Sequence, residues 1–253
     1  MPEWEDWRHV TKIDPGRPLE SLKASLEDIA NSGTDSIWIS GTQNISRDNV
    51  KRLLKAISRY DISVAEELPD HRLFVYDRRV DWHIIPYILN THDSEWKDRR
   101  MINWIKKDLK KIDWKKVVRA PYLILNLDST VAKITRAFNV SDEDVIAYAI
   151  TAERFLFRWQ QNRDSLLYVE CSGKYIRDVR GGLEILERLR DSIDMPIAYG
   201  GGIKGDNAEE ESREIISILR KCYKKGFVVQ GNAVYEEGLE TLLSGINGAK
   251  RVS

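Results

Sequence analysis

Eight short apolar or β-branched runs, nearly all followed by a longer amphipathic segment, recur through this 253-residue chain, and that alternation limits its fold more than any other feature. The runs cover residues 9–13, 36–40, 62–65, 83–89, 122–126, 166–171, 196–199 and 227–230. Some, such as Tyr122-Leu-Ile-Leu and Phe227-Val-Val, are apolar on both faces, as a parallel sheet covered by helices requires. Helical periodicity is clearest over residues 19–30, 47–59, 95–118, 142–159, 183–191, 209–224 and 236–243. Ser46 and Ser141 stand where N-caps belong, with Asp144 three residues after Ser141. Gly33 and Gly226 read as punctuation that ends a helix before a strand. The stretch 67–81 carries no convincing helix. Together these predict an α/β chain forming one domain over residues 1–253, a (β/α)8 TIM barrel with an irregular or missing third helix. A doubly wound open sheet is the alternative fold, and the lack of G-x-G-x-x-G after the first strand weighs against a dinucleotide site.

Active sites of such barrels lie at the C-terminal ends of the strands, and polar, ionisable and glycine residues collect at those ends here. The strongest signal is Gly200-Gly201-Gly202 and Gly231-Asn232, with Ser172-Gly173 at the neighbouring strand end. Glycine lets backbone N–H groups approach a phosphate closely, and the loops after strands seven and eight are this fold's recurrent phosphate cradle. Tight turns alone would use the same residues. Asp14, near Lys12, reads either as a magnesium ligand completed by substrate phosphate oxygens or as a carboxylate capping the turn before Pro15. Thr42 offers a hydroxyl to the same ion or serves as a turn residue. Glu170 interrupts the apolar run Leu166-Leu-Tyr-Val-Glu-Cys, where a carboxylate is costly to desolvate without a partner or a function. It reads as a general base toward an alcohol, or as half of an ion pair with Lys12 or Lys204.

Forty Lys and Arg balance forty Asp and Glu, so no general attraction to nucleic acid or to an anionic membrane is expected, and any anion site must be local. The basic runs from Lys106-Lys107 to Lys115-Lys116 fit the exposed face of a long helix. No pair among His9, His71, His83 and His92 has the i, i+4 helical spacing of a zinc site, and His9 and His83 fit buried strand positions. Cys171 and Cys222 show no framework spacing, which points to a reducing cytoplasm. The first ten residues hold no apolar signal-peptide core, and no apolar run is long enough to span a bilayer.

Six motifs occur in order: His9-Val-Thr-Lys-Ile-Asp14-Pro, Ser40-Gly-Thr-Gln-Asn44, Ile85-Pro-Tyr-Ile-Leu-Asn90, Tyr168-Val-Glu-Cys-Ser-Gly173, Tyr199-Gly-Gly-Gly-Ile203 and Gly231-Asn-Ala-Val-Tyr235. From about Trp7 to Gly238 they resemble the geranylgeranylglyceryl phosphate synthases, and the Ser-Gly-Thr-Gln-Asn form is similar to archaeal members more than to bacterial heptaprenyl relatives. The resemblance implies a prenyltransferase that joins the 3-hydroxyl of sn-glycerol 1-phosphate to geranylgeranyl diphosphate and releases diphosphate, the first committed step of archaeal ether-lipid biosynthesis. It implies that Lys12, Tyr168, Glu170, Cys171, Ser172, Gly173, Gly201, Gly202, Gly231 and Asn232 surround glycerol phosphate, with Glu170 catalytic. It implies that Asp14 and Thr42 hold magnesium, and that the third barrel helix is reduced or replaced.

A cytoplasmic homo-oligomer is expected, with no nucleic-acid partner, no integral membrane segment and transient contact with a membrane. Trp96, Ile84 and Tyr87 are the candidates for the groove that takes the prenyl tail. The chain departs from the family pattern at Gly16, where a second acidic residue is common, and at Cys171, where tyrosine is usual. It departs again at Lys174-Tyr175 and at Asn126-Leu-Asp128. The alternatives are a phosphosugar isomerase or lyase, for which Lys12 is the available lysine, and a barrel that binds phosphorylated ligands without turnover.

Overall fold

The computed structural model describes residues 3–157, 164–179 and 181–252. The strands are β1 (His9–Ile13), β2 (Ser36–Ser40), β3 (Ser63–Glu67), β4 (Trp82–Ile88), β5 (Val117–Ile124), β6 (Leu167–Glu170), β7 (Ile197–Gly200) and β8 (Gly226–Gln230). All pairings are parallel, and β1 pairs with both β2 and β8, so the sheet closes into the expected (β/α)8 barrel. The helices are α1 (Leu26–Asn31), α2 (Arg47–Ile57), α3 (Arg100–Asp108), α4 (Thr130–Thr135), α5 (Asp142–Thr151), α6 (Gly182–Ser192), α7 (Ala208–Leu219), α8 (Ala233–Glu236) and α9 (Leu239–Lys250). None of the described helices is long and apolar enough to cross a membrane.

Local chemistry explains where these elements start and stop. Ser46 and Asn49 form a reciprocal cap on α2, and Ser141 caps α5 by accepting from Asp144 N–H. Between β3 and β4 only a 3-10 turn forms, at His71–Leu73, as the weak periodicity there predicts. The first helix is shorter than expected: a 3-10 turn occupies Leu19–Ser21 and Ser25 caps α1 only afterwards. The expected helix over 95–118 breaks up instead into a π-helical turn at Glu95–Arg99, α3, and 3-10 turns at Leu109–Lys111 and Trp114–Lys116. β5 therefore begins at Val117 rather than at 122. Pro121 hides that start, because proline removes a ladder donor. It is tolerated because β6 pairs with β5 only from Tyr122 onward, apart from an isolated bridge at Arg119.

The periodicity does not reveal α4, which Ser129 caps through Ala132 N–H at 3.1 Å. The last helix lies at α9 rather than over 236–243, because Gly238, at φ 106°, separates it from α8. Of the helix expected over 142–159, residues 158 and 159 lie outside the described residues; the rest is α5 followed by a π-helical turn at Ala152–Leu156. Gly226 opens β8 instead of ending a helix, and a Cβ there would come within 2.8 Å of the Ile197 carbonyl.

Side chains alternate along each strand, which sends Val10 and Lys12, Trp38 and Ser40, Ala65 and Glu67, and Tyr168 and Glu170 into the barrel. The lower rung is aromatic: Trp38 meets Phe227 at 5.7 Å, Trp7 at 6.3 Å and Tyr168 at 6.3 Å, all of them buried. The interior is thus a packed core rather than a pore, and the polar residues sit above it at the C-terminal strand ends.

Candidate active site

A cavity of about 560 Å³ opens above that aromatic floor, and the C-terminal ends of the strands and the loops after them line it. At its base Lys12 reaches from β1 to Glu67 of β3, with Nζ 2.8 Å from Oε2. The Ser40 hydroxyl, on the neighbouring strand in register with Glu67, donates to the same oxygen. The ammonium lies 4.6 Å from the centre of the Tyr168 ring and 5.7 Å from that of Trp38. Tyr122 stacks on Tyr168 at 4.2 Å. Burial disfavours the Lys12 charge, but Glu67, Tyr168 and Glu170 outweigh it and hold the pKa above the ordinary lysine value.

Glu170, the last residue of β6, is 4% exposed. Its Oε1 accepts from Ser172 N–H at 2.6 Å, and it has no ion pair among the described residues. Burial raises its pKa above the ordinary glutamate value, while Lys12 and the Ser172 N–H pull part of the way back. Neither lysine expected as an ion-pair partner fills that place: Lys12 pairs with Glu67, and Lys204 stands at the cavity rim. A buried carboxylate that binds a proton more readily than usual, and that faces a cavity, has the properties of a base.

Asp14 follows β1 on another part of the rim. Its Oδ1 accepts from Gly16 N–H at 2.8 Å, and Arg17 stands 4.0 Å away. Burial raises its pKa, with the Gly16 N–H and Arg17 opposing. Tyr235 ties this loop to α8: its hydroxyl accepts from Asp14 N–H at 2.8 Å, and its ring lies 4.6 Å from the Arg17 guanidinium. Thr42 and Ser40 line the same side of the cavity. A carboxylate that faces a cavity which Thr42 also lines fits magnesium, which needs few protein ligands when substrate phosphate and water complete its shell. No group of three or more potential His, Cys, Asp or Glu ligands occurs among the described residues.

Ser172, Gly173, Gly201, Gly202, Gly231 and Asn232 form the facing rim. Two of their N–H groups are already used: that of Ser172 by Glu170, and that of Gly202 by the Lys174 carbonyl at 2.8 Å. Gly202 therefore serves close approach, since a Cβ would lie 2.7 Å from Lys174 C and Tyr175 N. Asn126 Nδ2 donates to the Ser172 carbonyl at 2.5 Å and fixes this loop from β5.

Cys171 does not belong to the cavity. Strand alternation turns its side chain outward from Glu170 into the buried core beside Tyr199, and the burial raises the thiol pKa well above its usual value. Of the tail-groove candidates, Trp96 lines the cavity, with its Nε1 donating to the Ile134 carbonyl at 3.1 Å. Ile84 lies a rung too deep, and Tyr87 points outward onto Phe157 at 5.5 Å. Pro86, Ile88, Val131 and Ile134 form the apolar wall instead. Glu67, Arg17, Tyr122 and Tyr235 are cavity residues that sequence reasoning missed. Glu67 hides because Glu66 and Glu67 together do not read as strand.

Comparison with known proteins places this geometry. Residues 2–250 match the PcrB family. The geranylgeranylglyceryl phosphate synthase of Methanoculleus marisnigri is 34% identical over 242 residues, 94% of this chain and 95% of the relative. The heptaprenylglyceryl phosphate synthase of Geobacillus kaustophilus is 30% identical over 255 residues, 100% of this chain and 96% of the relative. The crystal structure of (S)-3-O-geranylgeranylglyceryl phosphate synthase from Thermoplasma acidophilum, in complex with sn-glycerol-1-phosphate, superposes with a TM-score of 0.78 at 20% identity. That match covers 97% of this chain and 94% of the other, and it shows a shared fold.

Proposed function

The chain belongs to the PcrB family, and from that premise we propose that it transfers a prenyl group from an allylic diphosphate to the 3-hydroxyl of sn-glycerol 1-phosphate, with geranylgeranyl diphosphate as donor. The observation that carries this reading is Glu170, a buried carboxylate without an ion pair among the described residues, standing in a cavity with a glycine-lined rim and an apolar wall.

The acceptor phosphate lies on the rim of Ser172, Gly173, Gly201, Gly202, Gly231 and Asn232. Held there, its 3-hydroxyl is oriented over Glu170, which makes the encounter effectively intramolecular. The hydroxyl oxygen bonds to C1 of the donor as the bond from C1 to the diphosphate oxygen breaks. Glu170 takes the hydroxyl proton, and the electron pair of the broken bond departs on diphosphate. Asp14 and Thr42, which both line the cavity, would hold a magnesium ion, and that ion would neutralise charge on the leaving diphosphate. Trp96, Pro86, Ile88, Val131 and Ile134 receive the tail.

The raised pKa of Lys12 weighs against a Schiff-base lyase, whose lysine must shed its proton easily. The test is an incubation with sn-glycerol 1-phosphate, geranylgeranyl diphosphate and magnesium, with the product identified by mass spectrometry. The ether with equimolar diphosphate is expected. Absence of ether product, or release of diphosphate without acceptor consumption, would overturn the assignment.

A further inference from the structure

The barrel wall between β4 and β5 carries a surface that the proposed reaction does not use. From Arg100 to Lys116, seven Lys and Arg stand against two Asp, in a chain whose net charge is zero. Asp108 is buried and takes Lys111 at 2.6 Å, and Asp113 caps the turn at Trp114–Lys116. Lys106, Lys107, Lys110 and Lys115 are exposed and form no ion pair among the described residues. Lysines alone would make a solvated helix face. Here they alternate with apolar side chains that the fold leaves uncovered: Ile102 is 47% exposed, Leu109 56% and Trp114 52%. Ile102, Lys106 and Leu109 follow i, i+4, i+7 spacing, so one stripe runs apolar, basic, apolar. This is not the helix's inward face, which is taken by the buried Trp104 and the half-buried Ile105. Trp114 packs against Trp104 at 6.0 Å, which holds its ring out from the wall.

We propose that this wall is a peripheral docking surface for an anionic lipid bilayer. Ile102, Leu109 and Trp114 reach the boundary between headgroups and acyl chains, a depth suited to tryptophan in particular. Lys106, Lys107, Lys110 and Lys115 meet lipid phosphates while their stems lie along apolar surface. A nucleic acid would satisfy the charges but leave the three apolar side chains in water. The same stretch begins at the cavity: Arg100 stacks 3.7 Å from the centre of the Trp96 ring, and Trp96 lines the apolar side of the site. Docking along α3 thus lays the apolar side of the cavity beside the phase in which a prenyl donor dissolves; only this last point rests on the proposed function.

The experiment is co-sedimentation of the full chain with vesicles of phosphatidylglycerol and phosphatidylcholine, and with phosphatidylcholine alone. The wild type should pellet with the mixed vesicles only, and less as salt rises. K106E/K107E/K110E should weaken binding by about a hundredfold or more, given the attraction each basic residue contributes near an anionic surface. I102S/L109S/W114S should weaken it by at least about tenfold. Both variants should turn over a detergent-dispersed donor at the wild-type rate, which shows that they fold and that the surface is separate from the reaction. Wild type that stays in the supernatant with anionic vesicles overturns the proposal. So does an apolar variant that pellets as well as wild type, which would leave only non-specific charge attraction. Dissociation of a lipid-free oligomer by the apolar substitutions, seen by sedimentation velocity, overturns it in favour of a second copy of this chain.

Discussion

Replacing Glu170 by glutamine removes the proposed base while altering little else. The amide keeps an oxygen in place to accept from Ser172 N–H, now 2.6 Å from Oε1. Lys12 keeps its own partner, since its ion pair runs to Glu67. The acceptor rim therefore stays intact, and sn-glycerol 1-phosphate affinity should change little. Turnover should fall by about 10²–10⁴-fold, the usual worth of a positioned base, which corresponds to roughly 3–5 kcal/mol of barrier. Stability should move the other way. The folded pKa of Glu170 is raised above 4.5, so its proton-linked stability is present at low pH and fades as pH rises through the folded value. Glu170→Gln escapes that loss, and its melting temperature should gain on the wild type as pH climbs past that point. In the wild type kcat/KM should rise with pH over the same range, as the carboxylate forms. Diphosphate release, acceptor calorimetry and thermal melts across pH measure the three effects. Activity within about tenfold of wild type would fall below the contribution expected of a base and remove Glu170 from that role.

Glu67→Gln removes the carboxylate that pairs with Lys12 and repels Glu170; this should draw the acid limb of the pH–rate profile to lower pH and cost about 3 kcal/mol in denaturant titration, and an unmoved limb would refute the coupling. Asp14→Ala should abolish magnesium-dependent donor use while leaving acceptor binding intact with or without chelator; calorimetry showing acceptor loss in the variant would place the metal at the other rim. Trp96→Ala should admit donors longer than geranylgeranyl diphosphate, read from product chain length by mass spectrometry, and an unchanged product range would acquit Trp96 as a length limit.

Parallel strands buried on both faces announce themselves as apolar runs, which is why the closed barrel is legible in the sequence. Strand ends are less so. Pro121 conceals half of β5, and the adjacent Glu66 and Glu67 conceal the end of β3, because their burial depends on His83, Lys12 and Ser40 from other strands. The same distinction holds in the site. Glu170 stands out as a charge inside an apolar run, and Gly200-Gly201-Gly202 as glycine where side chains are the rule. Arg17, Tyr122 and Tyr235 look ordinary until the fold brings Asp14 and Tyr168 beside them. Cys171 shows the converse: adjacency in a motif suggested a role that strand alternation denies it.

The aromatic floor under Lys12 has a consequence for how such an enzyme can diversify. With Trp38, Tyr168 and Phe227 sealing the barrel axis, a long tail bound as proposed has no downward exit and would leave across the flank, past Trp96 and Ile134. Chain-length choice and bond formation are then geometrically orthogonal. Substitutions along the flank can lengthen or shorten the accepted donor while Glu170 and Lys12 keep their positions, so one chemistry can be retuned to membranes of different thickness.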